Sequence, residues 1–234
     1  MRILLIRSAR LRKVLGILLP FVLIPAVVLW FTLGPARGHY ALSTMLITLL
    51  ALVLFSCGFE RRKTGSRRMI LVAVMTALSV AGRFVFAALP FFKPITAMVV
   101  ITAIYVGPEA GFLTGALSAV ISNFYFGQGP WTPFQMLSWG LLGLFAGLLS
   151  RPLKKSRVLL SIYGIFAAAA YSLIMDVWTV MWYNGSFGAE LYTAALLAAL
   201  PITLMYAVSN VIFLNLLARP FGEKLERVKI KYGV

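Results

Sequence analysis

Apolar stretches of about twenty residues alternate with clusters of Lys and Arg along the whole chain, and this alternation constrains the fold more than any motif does. A run long enough to cross ~30 Å of hydrocarbon must satisfy its own backbone hydrogen bonds, and in lipid the α-helix is the open structure that does so. Such runs occupy residues 14–33, 41–58, 69–89, 96–105, 110–126, 134–149, 158–183 and 191–217, the fourth being short and expected to begin near Pro94. The pattern predicts an all-α integral membrane protein with eight crossings and no soluble domain.

Nearly all of the 22 basic residues fall in four clusters, around residues 2–13, 61–68, 151–157 and 219–231. In an eight-span arrangement these clusters share one side, the other side holds Arg37 and Lys93, and Arg83 lies within a span. Lys and Arg are retained on the cytoplasmic side, so both termini and the loops at 59–68 and 150–157 are expected in the cytoplasm of a multi-pass cell-membrane protein. The short turn at 106–109 belongs there too, without a basic residue to mark it. A net charge of +16 suggests nucleic acid only where the charge lines a face of a folded domain, and here it separates apolar runs. No nucleic-acid partner is expected. The basic N-terminus followed by an apolar run resembles a signal peptide, but the run is about twenty residues long and no small-residue cleavage site precedes the next span, which predicts an uncleaved helix.

Catalysis finds little support. Acid–base, nucleophilic or metal chemistry needs paired carboxylates, a metal cluster or a nucleophile with its base. The chain has six acids, one histidine and one cysteine, with Glu60, Glu223 and Glu226 in basic stretches, His39 in a loop and Cys57 at a helix end. There is no Gly-rich phosphate loop, so any ATP has to be handled by another polypeptide. Transport is the leading class, and no cofactor of its own is expected.

Transport requires a polar cavity on one side of the membrane. Between the fifth and sixth runs lies Asn123-Phe-Tyr-Phe-Gly-Gln-Gly-Pro-Trp-Thr-Pro-Phe-Gln135, where aromatic rings and carboxamides are interleaved with helix-stopping Gly and Pro. The connection from Trp178 through Asn184 to Glu190 repeats that composition. An interfacial aromatic belt accounts for Trp30 and Tyr40, but it does not call for carboxamides beside the rings. Asp176 and Arg83 sit within spans, where charge is normally paired or faces an aqueous cavity. A mutual salt bridge is one account; the other is that both face ligand, the pair being favoured for Arg83 and the ligand for Asp176.

Small residues recur at four-residue spacing. Ala73-x3-Ala77-x3-Ala81 lies on one face of the third run, and Gly111-x3-Gly115 and Gly143-x3-Gly147 repeat the spacing later. Such lines let helices approach closely in lipid, and internal packing is the expectation for the glycine pairs.

From about Arg68 to Arg219 the chain resembles the substrate-binding S component of an energy-coupling factor (ECF) vitamin transporter. The likeness is carried by six helices, the alanine face on the first of them, and short aromatic, Gly-rich outer loops. Gly129-Pro-Trp-Thr-Pro-Phe-Gln-Met-Leu-Ser-Trp-Gly140 with the following Leu-Leu-Gly-Leu-Phe-Ala-Gly147 is similar to cobalamin-type S components in particular. The resemblance implies a six-helix substrate-binding membrane domain at 68–219; the chain departs from that pattern at 1–67, an N-terminal cytoplasmic segment with two further spans expected to form an accessory transmembrane hairpin, and ends at 220–234 in a cytoplasmic basic tail. It implies a transmembrane coupling subunit and two cytoplasmic ATPase subunits as partners, with Ala73, Ala77 and Ala81 meeting the coupling subunit. The expected ligand is cobalamin, held on the outer side by Asn123, Tyr125, Gln128, Trp131, Thr132, Gln135, Asp176, Trp182, Tyr183 and Asn184. The same residues suit another vitamin or a modified purine, and a membrane scaffold without cargo is the reading from a different class.

Overall fold

The computed structural model describes residues 9–35, 39–59, 65–184 and 187–233, all helical rods and short connections with no strand among them. The first rod joins α1 (Ala9–Leu18), a π-helical turn (Leu19–Leu23) and α2 (Ile24–Leu33), with Pro20 and Pro25 near the start of the last two pieces, where a missing N–H breaks the regular ladder. There follow α3 (Tyr40–Phe59), α4 (Gly65–Val85), α5 (Ile95–Val106), α6 (Pro108–Phe126), α7 (Thr132–Leu148), the short α8 (Ser150–Lys155), α9 (Arg157–Asn184) and α10 (Ala189–Tyr232). Each apolar run of the sequence coincides with one rod. Val14–Phe31, Gly65–Val85, Arg157–Tyr183 and Ala189–Tyr232 are long and apolar enough to cross a membrane, and Ile95–Val106 is a shorter apolar helix. The protein is an all-α membrane protein.

Two boundaries differ from the sequence expectation. The third run ends as a helix at Val85 rather than 89, because Pro90 disfavours helix at the residue before it and the chain passes through tight turns from Ala87 to Phe84 and from Leu89 to Phe86. The last helix continues into the basic tail beyond the apolar run's end at 217: α10 runs 44 residues, about 66 Å at 1.5 Å per residue, longer than a hydrocarbon core is thick. Its last turns pack on the bundle, with Leu225 buried and Gly222 so close to Tyr105 that a methyl group there would strike the ring.

The core is built around α5, where every residue from Ile95 to Ile104 is buried. A helix apolar on all sides needs neighbours on all sides. It has them in α4, α6, α7 and α10. Against it lies a tight seam between α6 and α7. A methyl built on Gly143 would come 2.5 Å from the Gly111 carbonyl, one on Gly115 2.5 Å from the Trp139 carbonyl, and one on Gly147 2.3 Å from Pro108 Cα. The two glycine pairs are thus internal packing, as expected. The N-terminal hairpin lies on the outside of this seam, through α3 on α6 and α7 and through a Phe21–Phe145 ring contact at 5.9 Å.

Among the described residues, the basic side chains of 67–68, 151–157 and 219–231 gather at one end. Arg68 forms a 3.0 Å salt bridge with Glu109 at the start of α6, Arg67 donates to the Tyr232 carbonyl, Lys154 lies 3.3 Å from Glu226, and Lys229 donates to the Tyr105 carbonyl at 2.8 Å. The 106–109 turn, which lacks a basic residue of its own, is placed there by the Arg68–Glu109 pair. Gly107 adopts φ 132° in this turn, a conformation side chains rarely take. Arg2, Arg7, Arg61, Arg62 and Lys63, and the side chains of Arg10, Arg12, Lys13 and Cys57, lie outside the described residues.

Candidate functional site

At the opposite end the carboxamides singled out in the sequence do come together, around Arg83. Arg83 Nη1 donates to Ser122 Oγ at 2.5 Å and to Asn123 Oδ1 at 2.8 Å, which ties α4 to α6. Asn123 Nδ2 in turn donates to Thr132 Oγ1 at 2.9 Å and to Gln135 Oε1 at 2.8 Å, which ties α6 to α7. Gln135 Nε2 continues to the Tyr171 hydroxyl of α9 at 3.2 Å. One connected network therefore spans four helices, and Asn123, 1% exposed, has both amide hydrogens committed inside it.

Aromatic rings enclose this network. Trp139 stacks on Tyr171 at 5.2 Å, Tyr171 meets Tyr206 of α10 at 5.4 Å, and Phe91 meets Tyr206 at 5.8 Å. The Phe126 ring lies between two cations, with Arg83 4.5 Å and Lys93 5.0 Å from its centroid, distances typical of cation–π contact. Burial, and after it the Arg83 charge, hold the Lys93 ammonium below its ordinary range. The 86–94 connection that carries Lys93 is tied down by the Lys93 N–H donating to Ser209 Oγ at 3.0 Å and by Ser209 Oγ donating back to the Lys93 carbonyl at 3.2 Å. Within it Phe91 has φ 57°, an uncommon conformation for an aromatic residue, held between its contact with Tyr206 and the Ser209 bonds.

The remaining expected site residues divide. Thr132 is buried and donates to Gln128 Oε1 at 2.9 Å, while Gln128 Nε2 donates to the Val120 carbonyl at 2.9 Å, so both shape the turn into α7. Trp131 covers Gly129 and starts an aromatic ladder, with Trp178 at 6.0 Å and Trp182 a further 6.5 Å along α9. Asp176 accepts from Ser172 at 3.0 Å, and Thr203 of α10 donates to that same Ser172 at 2.8 Å. No ion pair joins Asp176 to Arg83 among the described residues. The mutual salt bridge is therefore replaced by two separate polar centres, each satisfied by uncharged partners. Tyr125, 73% exposed, packs on Phe84 and Phe126 at the rim, and Tyr183 is 82% exposed. The Asn184 side chain lies outside the described residues.

Sequence reasoning passed over Lys93, Trp139, Tyr171, Tyr206 and Ser209. Lys93 carried a signal, as a cation beside Pro94 on the side otherwise poor in charge. Tyr171 and Tyr206 carried none, since a tyrosine inside an apolar run reads as core. The assembled residues are packed aromatic rings, two cations with no acid in salt-bridge range among the described residues, and amide groups held by hydrogen bonds, and among the same residues no cluster suited to a metal exists.

No curated protein and no solved structure matches the chain significantly. A family model does, over residues 63–227, which takes in the alanine face of α4, the Arg83 network and the α6–α7 seam and leaves out the N-terminal hairpin. The match spans well over half of the sequence, and the chain belongs to the family of S components of ECF-type riboflavin transporters.

Proposed function

We propose that this protein captures riboflavin at the Arg83 end of the bundle and passes it inward after docking on a coupling subunit. As an S component it is a substrate-binding membrane subunit of an ECF transporter and not an enzyme, and its family works with a transmembrane subunit and ATPase subunits. The observation that carries the ligand assignment is the family match itself. The chemistry of this end supports it: a tricyclic flavin offers a flat face to the accessible Phe91 and Tyr206 rings, and its uracil-like edge offers acceptors to the remaining hydrogens of Arg83 and Gln135. The positive-inside rule puts the basic end in the cytoplasm and this site outside.

The cobalamin reading draws on the Gly129–Gln135 block. In the fold much of that block is spent on forming the entry to α7, with Thr132 buried and Gln128 tied to backbone, which leaves the corrinoid with the likeness alone. Docking on the coupling subunit is assigned to Ala73, Ala77 and Ala81, which are exposed on α4 and face away from the buried Leu71, Val72, Met75 and Thr76. Among the described residues the accessory hairpin packs chiefly on α6 and α7, away from that face.

Titration of the purified full chain with riboflavin and with cyanocobalamin, followed by ligand and tryptophan fluorescence, tests the assignment. Saturable riboflavin binding with no response to cyanocobalamin is expected, unchanged by Trp30→Ala on the hairpin. Saturation by cyanocobalamin alone moves the assignment to the corrinoid; response to neither rejects both ligands.

A further inference from the structure

A cavity lies at the basic end, away from the Arg83 network, where α5, the α8–α9 junction and α10 meet. Its volume is about 280 Å³, room for roughly nine waters at ~30 Å³ each and so for a polar headgroup rather than a single ion. The floor is apolar, made by Ile104, Leu160, Leu214 and Ala218. Its walls carry four cations, Lys154, Lys155, Arg157 and Arg219, against two acids.

The two acids are already taken. Glu226 lies 3.3 Å from Lys154, which also sits 4.3 Å over the Tyr105 ring, and Glu223 lies 3.0 Å from Arg219. Lys155 and Arg157 are left with no acid in salt-bridge range among the described residues, one on each side of Ser156. The cavity thus holds an unbalanced double positive charge beside an apolar floor. On its other flank, sharing Leu153, a groove of about 470 Å³ runs between α7 and α9, lined by Phe145, Leu149, Leu159, Ile162 and Phe166 among others and offering no polar surface.

We propose that this pair of sites binds one anionic phospholipid, its phosphate on Lys155 and Arg157 and an acyl chain in the adjoining groove. Charge selects an anion, and the position at the helix ends, between an apolar groove and an apolar floor, selects one that carries its own hydrocarbon. A free phosphate uses the cations alone; a lipid uses both. Basic pockets between helices at this depth suit such headgroups, each cation near the headgroup layer contributing about fivefold in affinity. The proposal is independent of which vitamin the outer site holds.

The full chain in a neutral detergent is titrated with phosphatidylglycerol, phosphatidylcholine or inorganic phosphate, with bound lipid counted by native mass spectrometry and thermal stability followed in parallel. Phosphatidylglycerol is expected to bind at one retained copy and to stabilise the protein, with phosphatidylcholine and phosphate having little effect. The double variant Lys155→Gln/Arg157→Gln should bind it about twenty-five-fold more weakly, the product of about fivefold per cation. The charge-keeping swap Lys155→Arg/Arg157→Lys should bind as the parent does, which also shows that the junction folds when altered. Lys224→Gln/Arg227→Gln removes the same charge from α10 outside the cavity and should change binding little. Equal weakening by both neutralising pairs, equal competition by inorganic phosphate, or no preference for phosphatidylglycerol over phosphatidylcholine each overturns the proposal. So does a parent without lipid preference whose Lys155→Gln/Arg157→Gln variant loses assembly with the coupling subunit, because the cavity is then a protein contact.

Discussion

The glycine line shared by α6 and α7 and the alanine line on α4 are written with the same four-residue spacing, yet the first is pressed against backbone and the second faces outward. In lipid there is no hydrophobic gain from pairing helices, so close packing has to do the work, and it works only where side chains are nearly absent. Gly111, Gly115, Gly143 and Gly147 bring carbonyls and Cα atoms to distances no Cβ tolerates. Ala73, Ala77 and Ala81 leave a shallow strip beside the outward Val74 and Leu78, while the opposite face of α4 is consumed by α5 and α6. One line is spent on the fold of this chain, and the other stays available for a neighbour.

The largest effect is expected where the seam is filled. Gly143→Leu places a side chain 2.5 Å from the Gly111 backbone, which is held by two helices and cannot turn aside, so the cost exceeds the ~1–3 kcal/mol of ordinary overpacking. Size-exclusion chromatography of the detergent-extracted protein should show no monodisperse folded species. A stable, ligand-binding variant breaks the contrast at its first term. The second effect is functional: Ala77→Trp should leave the isolated protein folded and its affinity for riboflavin within about twofold, while ATP-driven uptake by the assembled transporter is lost. Survival of uptake, or an equal collapse of binding, removes the docking role from the alanine face.

The contrast also shows what could be read from residues in advance. The rods were legible because apolar run length is a direct consequence of bilayer thickness, and the seam because paired glycines at this spacing have little other use. The gathering of Asn123, Thr132 and Gln135 was legible as composition, amides among rings between two spans. Their partner was not. Arg83 sits 40 residues from Asn123, and nothing local tells a cation in a span to choose an amide and a phenyl ring over Asp176. Tyr171 and Tyr206 enter the site from helices α9 and α10 through tertiary packing, which single-sequence periodicity does not encode. The length of α10 was missed because charge ends an apolar run without ending a helix.

Arg83 links the two helix lines, since it reaches from the stripe helix α4 to the seam helix α6. Arg83→Met keeps an unbranched apolar side chain and removes the guanidinium that makes both bonds, leaving Asn123 Oδ1 buried without its partner at ~1–3 kcal/mol. Thermal stability should fall by that amount and riboflavin affinity by about five- to a hundredfold, read by denaturation and by equilibrium titration. Gln135→Ala should lower affinity within the same range but cost less stability, because the residue is only partly buried and Asn123 retains Thr132. An unchanged affinity in both variants detaches ligand binding from the network.

The smallest effect is expected from the smallest change on the open stripe, and it measures how closely a neighbour must approach there. Ala81→Ser adds one oxygen to an exposed position on α4, so stability of the isolated protein should stay within about 0.5 kcal/mol of the parent. Uptake should stay within about twofold, because serine still counts among the small residues through which membrane helices pack. Gly147→Ala is its counterpart on the seam: the change is again a single heavy atom, but the new methyl falls 2.3 Å from Pro108 Cα, and a marked loss of thermal stability should follow. Measured side by side, the two single-atom substitutions separate a surface that awaits a partner from one already filled. If Ala81→Ser abolishes uptake, the docking contact on α4 is as tight as the glycine seam, and the difference between the two lines lies only in whether the partner belongs to the same chain.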